Sequence, residues 1–262
     1  MTEKKAPDYL ENLHKHPRDS HISFDEGPHI YTIDGDSDYK SVTTWNHSHF
    51  PHFNADKIID NMMKSKNWSE NKYYPMTKNQ IKSLWRKNGK EASEAGTKMH
   101  YDIECFYNNM SVTNESTEFK YFMNFYKEFS HLKPYRTEWM VWDKALKLAG
   151  SIDMTFIDDN DNILIFDWKR CKEIKKTNKW ETATTDCIDF MPNSNFWHYS
   201  LQLNTYKAIL EKNYDVNVAD MFLVCLHPDN KNNSYQLFRV PNLQTEIQDL
   251  FKLRIEELNN SQ

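Results

Sequence analysis

The first half of the chain alternates between polar segments and short apolar patterns. Residues 1–28 are polar and rich in Pro and Asp, which predicts a loosely ordered lead-in. Two β-prone stretches, 29–33 and 39–44, flank the turn-forming segment 34–38, and this arrangement predicts a β-hairpin. A helical pattern then defines an N-terminal helical subdomain over about 45–108.

Several segments repeat apolar residues three and four positions apart, as helices with one buried face do. The first stripe is Ile58, Ile59, Met62 and Met63, and a second run begins after Thr77, a typical N-cap residue. Further helices are predicted over about 92–108, 116–132, 201–211 and 243–258.

From residue 136 onwards β-prone segments dominate. The strands are predicted over 136–143, 148–157, 162–169, 219–226 and 235–240. The polar stretch 170–199 has no clear period, and loops of such length are often functional or mobile. The pattern predicts an α/β fold in one domain over 29–262: a central mixed sheet of about five strands flanked by helices.

Composition narrows the function classes. The chain has 262 residues and a net charge of -5, which argues against coating nucleic acid by bulk charge but allows a local basic groove. With 5 glycines there is no glycine-rich phosphate loop, so nucleotide-cofactor enzymes are poor candidates. The N-terminus lacks the apolar stretch of a signal peptide and no apolar run could span a bilayer, so an intracellular, soluble protein is expected. Lysine outnumbers arginine 27 to 6, a bias typical of an AT-rich genome such as that of a virus or a low-GC organism.

The most informative motif pairs carboxylates on two successive predicted strands. Asp153 lies within one strand, and Asp167 and Lys169 share one face of the next. In an antiparallel hairpin the two carboxylates converge and offer the hard oxygen ligands that Mg²⁺ or Mn²⁺ prefers, while the lysine offsets phosphate charge. Such residues equip a site for metal-assisted phosphodiester hydrolysis. The alternative is that they end strands at a solvated edge, since short motifs of this kind often occur by chance.

Two helices carry further candidates. His100 and Glu104 are one turn apart on the predicted helix 92–108, and together could add an imidazole and a carboxylate to a metal site. Gln202 and Tyr206 are also one turn apart, and their polar tips could bind a phosphate or brace the lysine. Each pair has an ordinary structural alternative as a surface or core feature. Glu138 is a possible auxiliary carboxylate, although a strand-edge surface position is the simpler interpretation.

Taken in order, these motifs resemble the PD-(D/E)XK nuclease superfamily, in its RecB-like and lambda-exonuclease-like branch. The likeness is greatest to the mitochondrial genome-maintenance exonuclease type and its viral relatives. That branch carries four ordered motifs, found here as Gly96/Thr97/His100/Glu104, Gly150/Asp153, Asp167/Lys169 and Gln202/Tyr206.

The resemblance implies roles for these residues. It makes His100, Asp153, Asp167 and the Trp168 carbonyl ligands of Mg²⁺ or Mn²⁺, and Lys169 the catalytic lysine. It makes Glu104 a ligand or a carboxylate behind the ligands, and gives Gln202 and Tyr206 supporting and substrate-contacting roles. Some relatives hold an iron–sulfur cluster on one early and three closely spaced late cysteines; Cys105, Cys171, Cys187 and Cys225 lack that spacing, so no cluster is expected.

Basic residues near these motifs are candidates for binding the DNA backbone. The set comprises Arg170, Lys172, Lys175, Lys176 and Lys179 after the Asp167 strand, and Lys82 and Arg86 on the second predicted helix. The helical stripe has the alternative of being a solvated face. Trp180, Phe196 and Trp197 either stack on unpaired bases or anchor the loop.

The expected function is a metal-dependent DNA nuclease, with exonuclease action on DNA ends or single strands favoured, in replication, repair or recombination. Helicase motifs are absent, so unwinding would need a helicase or recombination partner. The alternatives are a structure-specific or restriction-type endonuclease, and a non-catalytic nucleic-acid-binding protein on a nuclease fold.

Overall fold

The computed structural model describes residues 6–260 and divides the chain into two compact units. The smaller unit spans residues 52–99, and the larger unit comprises the residues before and after it. One long helix, Lys78–Tyr107, contributes its first part to the smaller unit and its last part to the larger.

Strands and helices fall close to the positions that the apolar pattern predicts. Within residues 6–260 the strands are β1 (Ile22–Asp25), β2 (Ile30–Ile33), β3 (Lys40–Ser41), β4 (Lys133–Asp143), β5 (Leu148–Ile157), β6 (Ile163–Lys169), β7 (Val218–Cys225) and β8 (Gln236–Arg239). The helices are α1 (Tyr9–Leu13), α2 (Val42–His47), α3 (Ala55–Met63), α4 (Lys78–Tyr107), α5 (Thr117–Glu128), α6 (Asn195–Asn213) and α7 (Gln244–Asn260).

The larger unit is built on a mixed sheet with the order β3-β5-β6-β7-β8 and β4 paired to β5. The β3–β5 and β6–β7 pairs are parallel, and the other pairs in this sheet are antiparallel. This confirms the predicted α/β class; the sixth strand is the two-residue β3, too short to be predicted from an apolar pattern.

Helices cover both faces of this sheet because β6 is apolar on both sides. Phe125 of α5 packs edge-to-face against Phe166 and Trp168, with ring centroids 5.5 and 5.2 Å away. Ile163 and Ile165 point to the opposite face, where they share a buried cluster with α6. Asp167 and Lys169 continue this second face, so their side chains lie on the α6 side of the sheet.

The two edges of β5 are paired differently. One edge pairs with β4 from Leu148 to Ile157. The other pairs with β3 at Leu148 and Ala149 and with β6 from Met154 onwards. Between these pairings, residues 150–153 have no strand neighbour on that edge in the described chain, so β5 and β6 diverge at Asp153.

The expectation of a loosely ordered lead-in is wrong for residues 6–28, which contain α1, a 3₁₀ turn and β1; residues 1–5 lie outside the described chain. Leu10 is buried, and the Arg18 guanidinium lies 3.5 Å from the centre of the Trp142 ring. Arg136 donates a 2.7 Å hydrogen bond to Asp19. These partners lie more than a hundred residues away in sequence, so a local pattern could not reveal them.

The predicted hairpin of 29–33 with 39–44 is also wrong. β2 pairs instead with β1 in antiparallel register, while β3 joins the main sheet. The end of the second stretch is helical, because the Ser41 side chain accepts a hydrogen bond from the Thr44 N–H and caps α2.

The helical pattern of the smaller unit is confirmed, but the second and third predicted helices form one continuous helix, α4. Gly89 and Gly96 lie within it without interrupting it. Helix α6 begins at Asn195, earlier than predicted, which shortens the long loop to 170–194. No helix in the described residues has the length and apolarity needed to cross a bilayer.

Candidate active site

Asp153 and Asp167 lie opposite each other at the point where the pairing of β5 with β6 ends. The register that pairs Met154 with Phe166 places Asp153 opposite Asp167, one position beyond the last ladder pair. Asp153 Oδ2 accepts a 2.9 Å hydrogen bond from the Trp168 backbone N–H. The Asp153 carboxylate thus accepts the hydrogen bond of a missing ladder partner and is held against the last residues of β6. A ligand role for the Trp168 carbonyl stays a prediction.

His100 and Glu138 lie close to Asp153, and the three side chains together form a possible metal site. His100 Nδ1 lies 3.5 Å from Asp153 Oδ2 and 3.9 Å from Glu138 Oε1. One ligand atom from each of His100, Glu138 and Asp153 falls within 4.8 Å of the others. In the described residues this is the one group of three or more His, Cys, Asp or Glu side chains close enough to hold an ion.

Glu138 belongs to this cluster, which differs from the surface position thought simpler from the sequence. The β4–β5 register pairs Thr137 with Met154 and Trp139 with Ile152, so Glu138 lies opposite Asp153. Its backbone has φ of 42°, a conformation that non-glycine residues adopt at a cost of about 1–3 kcal/mol. Strained residues in mid-strand are enriched at functional sites. The sequence offered only an acidic residue on the strand before Asp153, and the register that brings the two together is known from the structure.

The electrostatics of the cluster reflect too many carboxylates for the available cations. Burial and the nearby Asp167 charge raise the pKa of Asp153 well above its usual range. Burial, followed by the Glu138 charge, raises the pKa of Glu104 to about 7. Burial disfavours protonated His100, yet the Asp153 and Glu138 carboxylates outweigh it and raise its pKa to about 9. A divalent cation would relieve this repulsion.

Lys169 partly balances that charge. Its Nζ forms an ion pair with Asp167 Oδ2 at 2.5 Å. The ammonium also sits 4.4 Å from the centre of the Tyr199 ring. Burial opposes the charge, but the Asp167 and Asp153 carboxylates raise the pKa of Lys169 above its usual range. In this arrangement Asp167 pairs with the lysine and lies outside the His100–Glu138–Asp153 group.

Gln202 and Tyr206 support the site from α6. The Tyr206 hydroxyl reaches the backbone of β5 so closely that a Cβ on Gly150 would lie 2.7 Å from it. The Gln202 amide donates to the Tyr206 hydroxyl at 3.4 Å and to Thr43 Oγ1 at 3.3 Å. Gly150 therefore has a packing reason: it lets the buried tyrosine lie against the strand three residues before Asp153.

The basic residues after β6 are largely occupied within the protein. Arg170 donates to Glu118 at 2.7 Å and is half-buried; Lys172 pairs with Asp229 at 3.0 Å. The remaining three are Lys175, which pairs with Glu173 at 3.6 Å, Lys176, 4.7 Å from the Phe196 ring centre, and exposed Lys179. The structure thus lowers the free positive charge of this loop below what the sequence suggested.

Two of the three aromatic residues near the loop anchor it, and the third is free to stack on a base. Phe196 is buried and the Trp197 indole N–H donates to the Lys176 carbonyl at 3.0 Å, so both anchor the loop. Trp180 is 90% exposed and is the loop aromatic available for stacking.

In the smaller unit, Lys82 and Arg86 differ from one another. Lys82 pairs with Asp56 at 2.9 Å, whereas Arg86 is exposed and makes no ion pair within the described residues. Only Arg86 of the two presents an uncompensated cation.

The donor set of the cluster fits a small divalent cation. The two carboxylates are typical ligands of Mg²⁺ and Mn²⁺, whereas the imidazole is typical of transition metals such as Zn²⁺ or Fe²⁺, so the donor set does not select one metal. The sequence matches no known family model and no curated protein.

Proposed function

We propose that this protein is a divalent-metal-dependent DNA nuclease that hydrolyses phosphodiester bonds, acting as an exonuclease on DNA ends or single strands. One observation carries the proposal: His100, Glu138 and Asp153 offer ligand atoms within 4.8 Å of each other, and the Lys169 ammonium is paired with Asp167, opposite Asp153. The ordered motifs that resemble the PD-(D/E)XK superfamily support it.

In the proposed hydrolysis, the carboxylates and the histidine would bind the metal, and the lysine would interact with the phosphate. A divalent cation bound by His100, Glu138 and Asp153 would act as a Lewis acid towards a phosphate oxygen. The Lys169 ammonium, held by Asp167, is placed to stabilise negative charge that develops on the phosphate. Glu104, one helical turn from His100, interacts electrostatically with Glu138 and His100 and so helps set the charge of the ligand group. Tyr206 and Gln202 hold β5 in place through the close contact at Gly150.

The test is degradation of end-labelled linear DNA, single- and double-stranded, in Mg²⁺, Mn²⁺ or EDTA. We expect metal-dependent loss of label by the wild type and none by Lys169→Ala. Lys252→Ala is the matched control, since that lysine is on α7, is not among the proposed site or DNA-binding residues, and its side chain is 71% exposed. Equal cleavage by Lys169→Ala and Lys252→Ala would overturn the assignment of the site.

Substrate form separates the alternatives. An exonuclease leaves covalently closed circular DNA intact, whereas a structure-specific or restriction-type endonuclease cuts it. DNA binding without cleavage in any metal would favour the non-catalytic nucleic-acid-binding protein.

A further inference from the structure

The smaller unit, residues 52–99, differs in charge from the rest of the protein. It carries ten Lys and Arg against five Asp and Glu, a net charge of +5, although the whole chain has -5. The remaining residues therefore carry -10. A polyanion is attracted to this unit and repelled by the average surface of the other, because phosphate contacts with Lys and Arg supply sequence-independent affinity.

Within this unit the acidic residues neutralise only part of that charge. Asp56 and Asp60 pair with Lys78, and Asp56 also pairs with Lys82. Arg86, one turn after Lys82 on α4, has no such partner in the described chain.

An aromatic surface lies beside the free guanidinium. Phe53 is 74% exposed. The Phe53 ring centroid lies 6.1 Å from that of Trp85, and the Tyr73 ring centroid lies 5.9 Å from that of Trp85. A hollow of about 190 Å³ is lined by Phe53, Ala55, Lys82, Trp85 and Arg86.

We propose that this hollow is a base-stacking site for single-stranded DNA. Exposed aromatic faces beside cations are the recurring solution for binding unpaired strands, since every base has a π-face and every linkage a phosphate. A duplex hides its base faces and would use the lysines and Arg86 but leave Phe53 without a role. This inference rests on the proposed function, because it names the form of DNA that the nuclease takes.

The experiment measures binding, so that it is independent of cleavage. Fluorescence anisotropy in EDTA would follow the full-length protein with a labelled oligothymidylate of about 12 nucleotides, an abasic strand of the same length, and a duplex. We expect Phe53→Ala to weaken oligothymidylate binding about 5- to 100-fold and to leave abasic-strand binding unchanged. Phe53→Trp should retain binding.

Phe190→Ala is the matched control, since Phe190 is 59% exposed but belongs to the larger unit. Oligothymidylate binding by Phe53→Ala equal to that of Phe190→Ala, or an equal loss on the abasic strand, would overturn the inference. The result also separates the two proposals: base-dependent binding without metal-dependent cleavage refutes the nuclease alone, and cleavage without a Phe53 effect refutes the stacking site alone.

Discussion

Replacing Gly150 with alanine tests the contact that joins α6 to β5 beside the site. The new Cβ would meet the Tyr206 hydroxyl at 2.7 Å and Cε1 at 2.8 Å, whereas ordinary contacts begin at 3.4 Å. Tyr206 is 3% exposed and packed in the main core cluster, so its ring has little room to withdraw. Overpacking of this kind costs about 1–3 kcal/mol.

The backbone at Gly150 offsets part of that cost. Its φ lies outside the left-handed region, so alanine is tolerated there, and it lowers the entropy of the unfolded chain by the equivalent of about 0.4–1 kcal/mol. The difference between the two contributions is about 0–2.6 kcal/mol, and because the Tyr206 ring has little room to withdraw we expect a net loss of about 1–2 kcal/mol. With a urea m-value of about 3 kcal/mol/M, the unfolding midpoint should fall by about 0.3–0.7 M.

Two further variants sharpen the measurement. Gly96→Ala should stabilise by about 0.5–1 kcal/mol, because nothing lies within 4 Å of its Cβ position inside α4. Tyr206→Phe in the Gly150→Ala background should recover part of the loss, because it removes the closest atom. Urea unfolding followed by circular dichroism would compare the wild type, Gly150→Ala, Gly96→Ala and the double variant Gly150→Ala/Tyr206→Phe. A Gly150→Ala protein as stable as the wild type would refute the argument from close packing.

Three other predictions concern charge. Burial lowers the pKa of His49 to about 4, so the neutral imidazole stabilises the fold above the unfolded-state pKa of about 6.5, and this stabilisation is lost as the pH falls towards 4. Urea unfolding at pH values between 6.5 and 4 should show the free energy of unfolding fall by at most about 3 kcal/mol from this residue. The His49→Gln protein should lack this decrease. Glu138→Gln removes one carboxylate beside His100 and should therefore lower the pKa of His100, as measured by NMR titration. The same variant should weaken Mn²⁺ binding at least about tenfold, as measured by calorimetry. The control Glu173→Gln should change neither quantity. Arg136→Ala should destabilise the protein by about 3 kcal/mol because it leaves Asp19 uncompensated, and an unchanged urea midpoint would contradict this.

The candidate site shows where local pattern suffices. The strands carrying Asp153 and Asp167 were predicted nearly to the residue, because runs of β-branched and aromatic residues bounded by turn residues determine them locally. Their separation by a short antiparallel connection then determines that the two carboxylates meet. Helical spacing likewise placed His100 with Glu104 and Gln202 with Tyr206.

Other features depended on partners distant in sequence. Glu138 joins His100 only because the β4–β5 register and its unusual φ aim it there, and the N-terminal segment is ordered by contacts such as Arg18 with Trp142. The pairing of Asp167 with Lys169, and of Arg170 and Lys172 with Glu118 and Asp229, likewise decided which charges remain free.

By itself the sequence determined the α/β class, the strands β5 and β6 and the residue types gathered at the candidate site, since these follow from periodicity and short-range spacing. The tertiary structure alone decided which carboxylates share His100, which cations are already paired, and that the exposed Phe53 lies beside Trp85. The physical reason is that ion pairs and packing contacts depend on distances in space. The fold sets these distances between residues that are far apart in the sequence, so no local pattern predicts them.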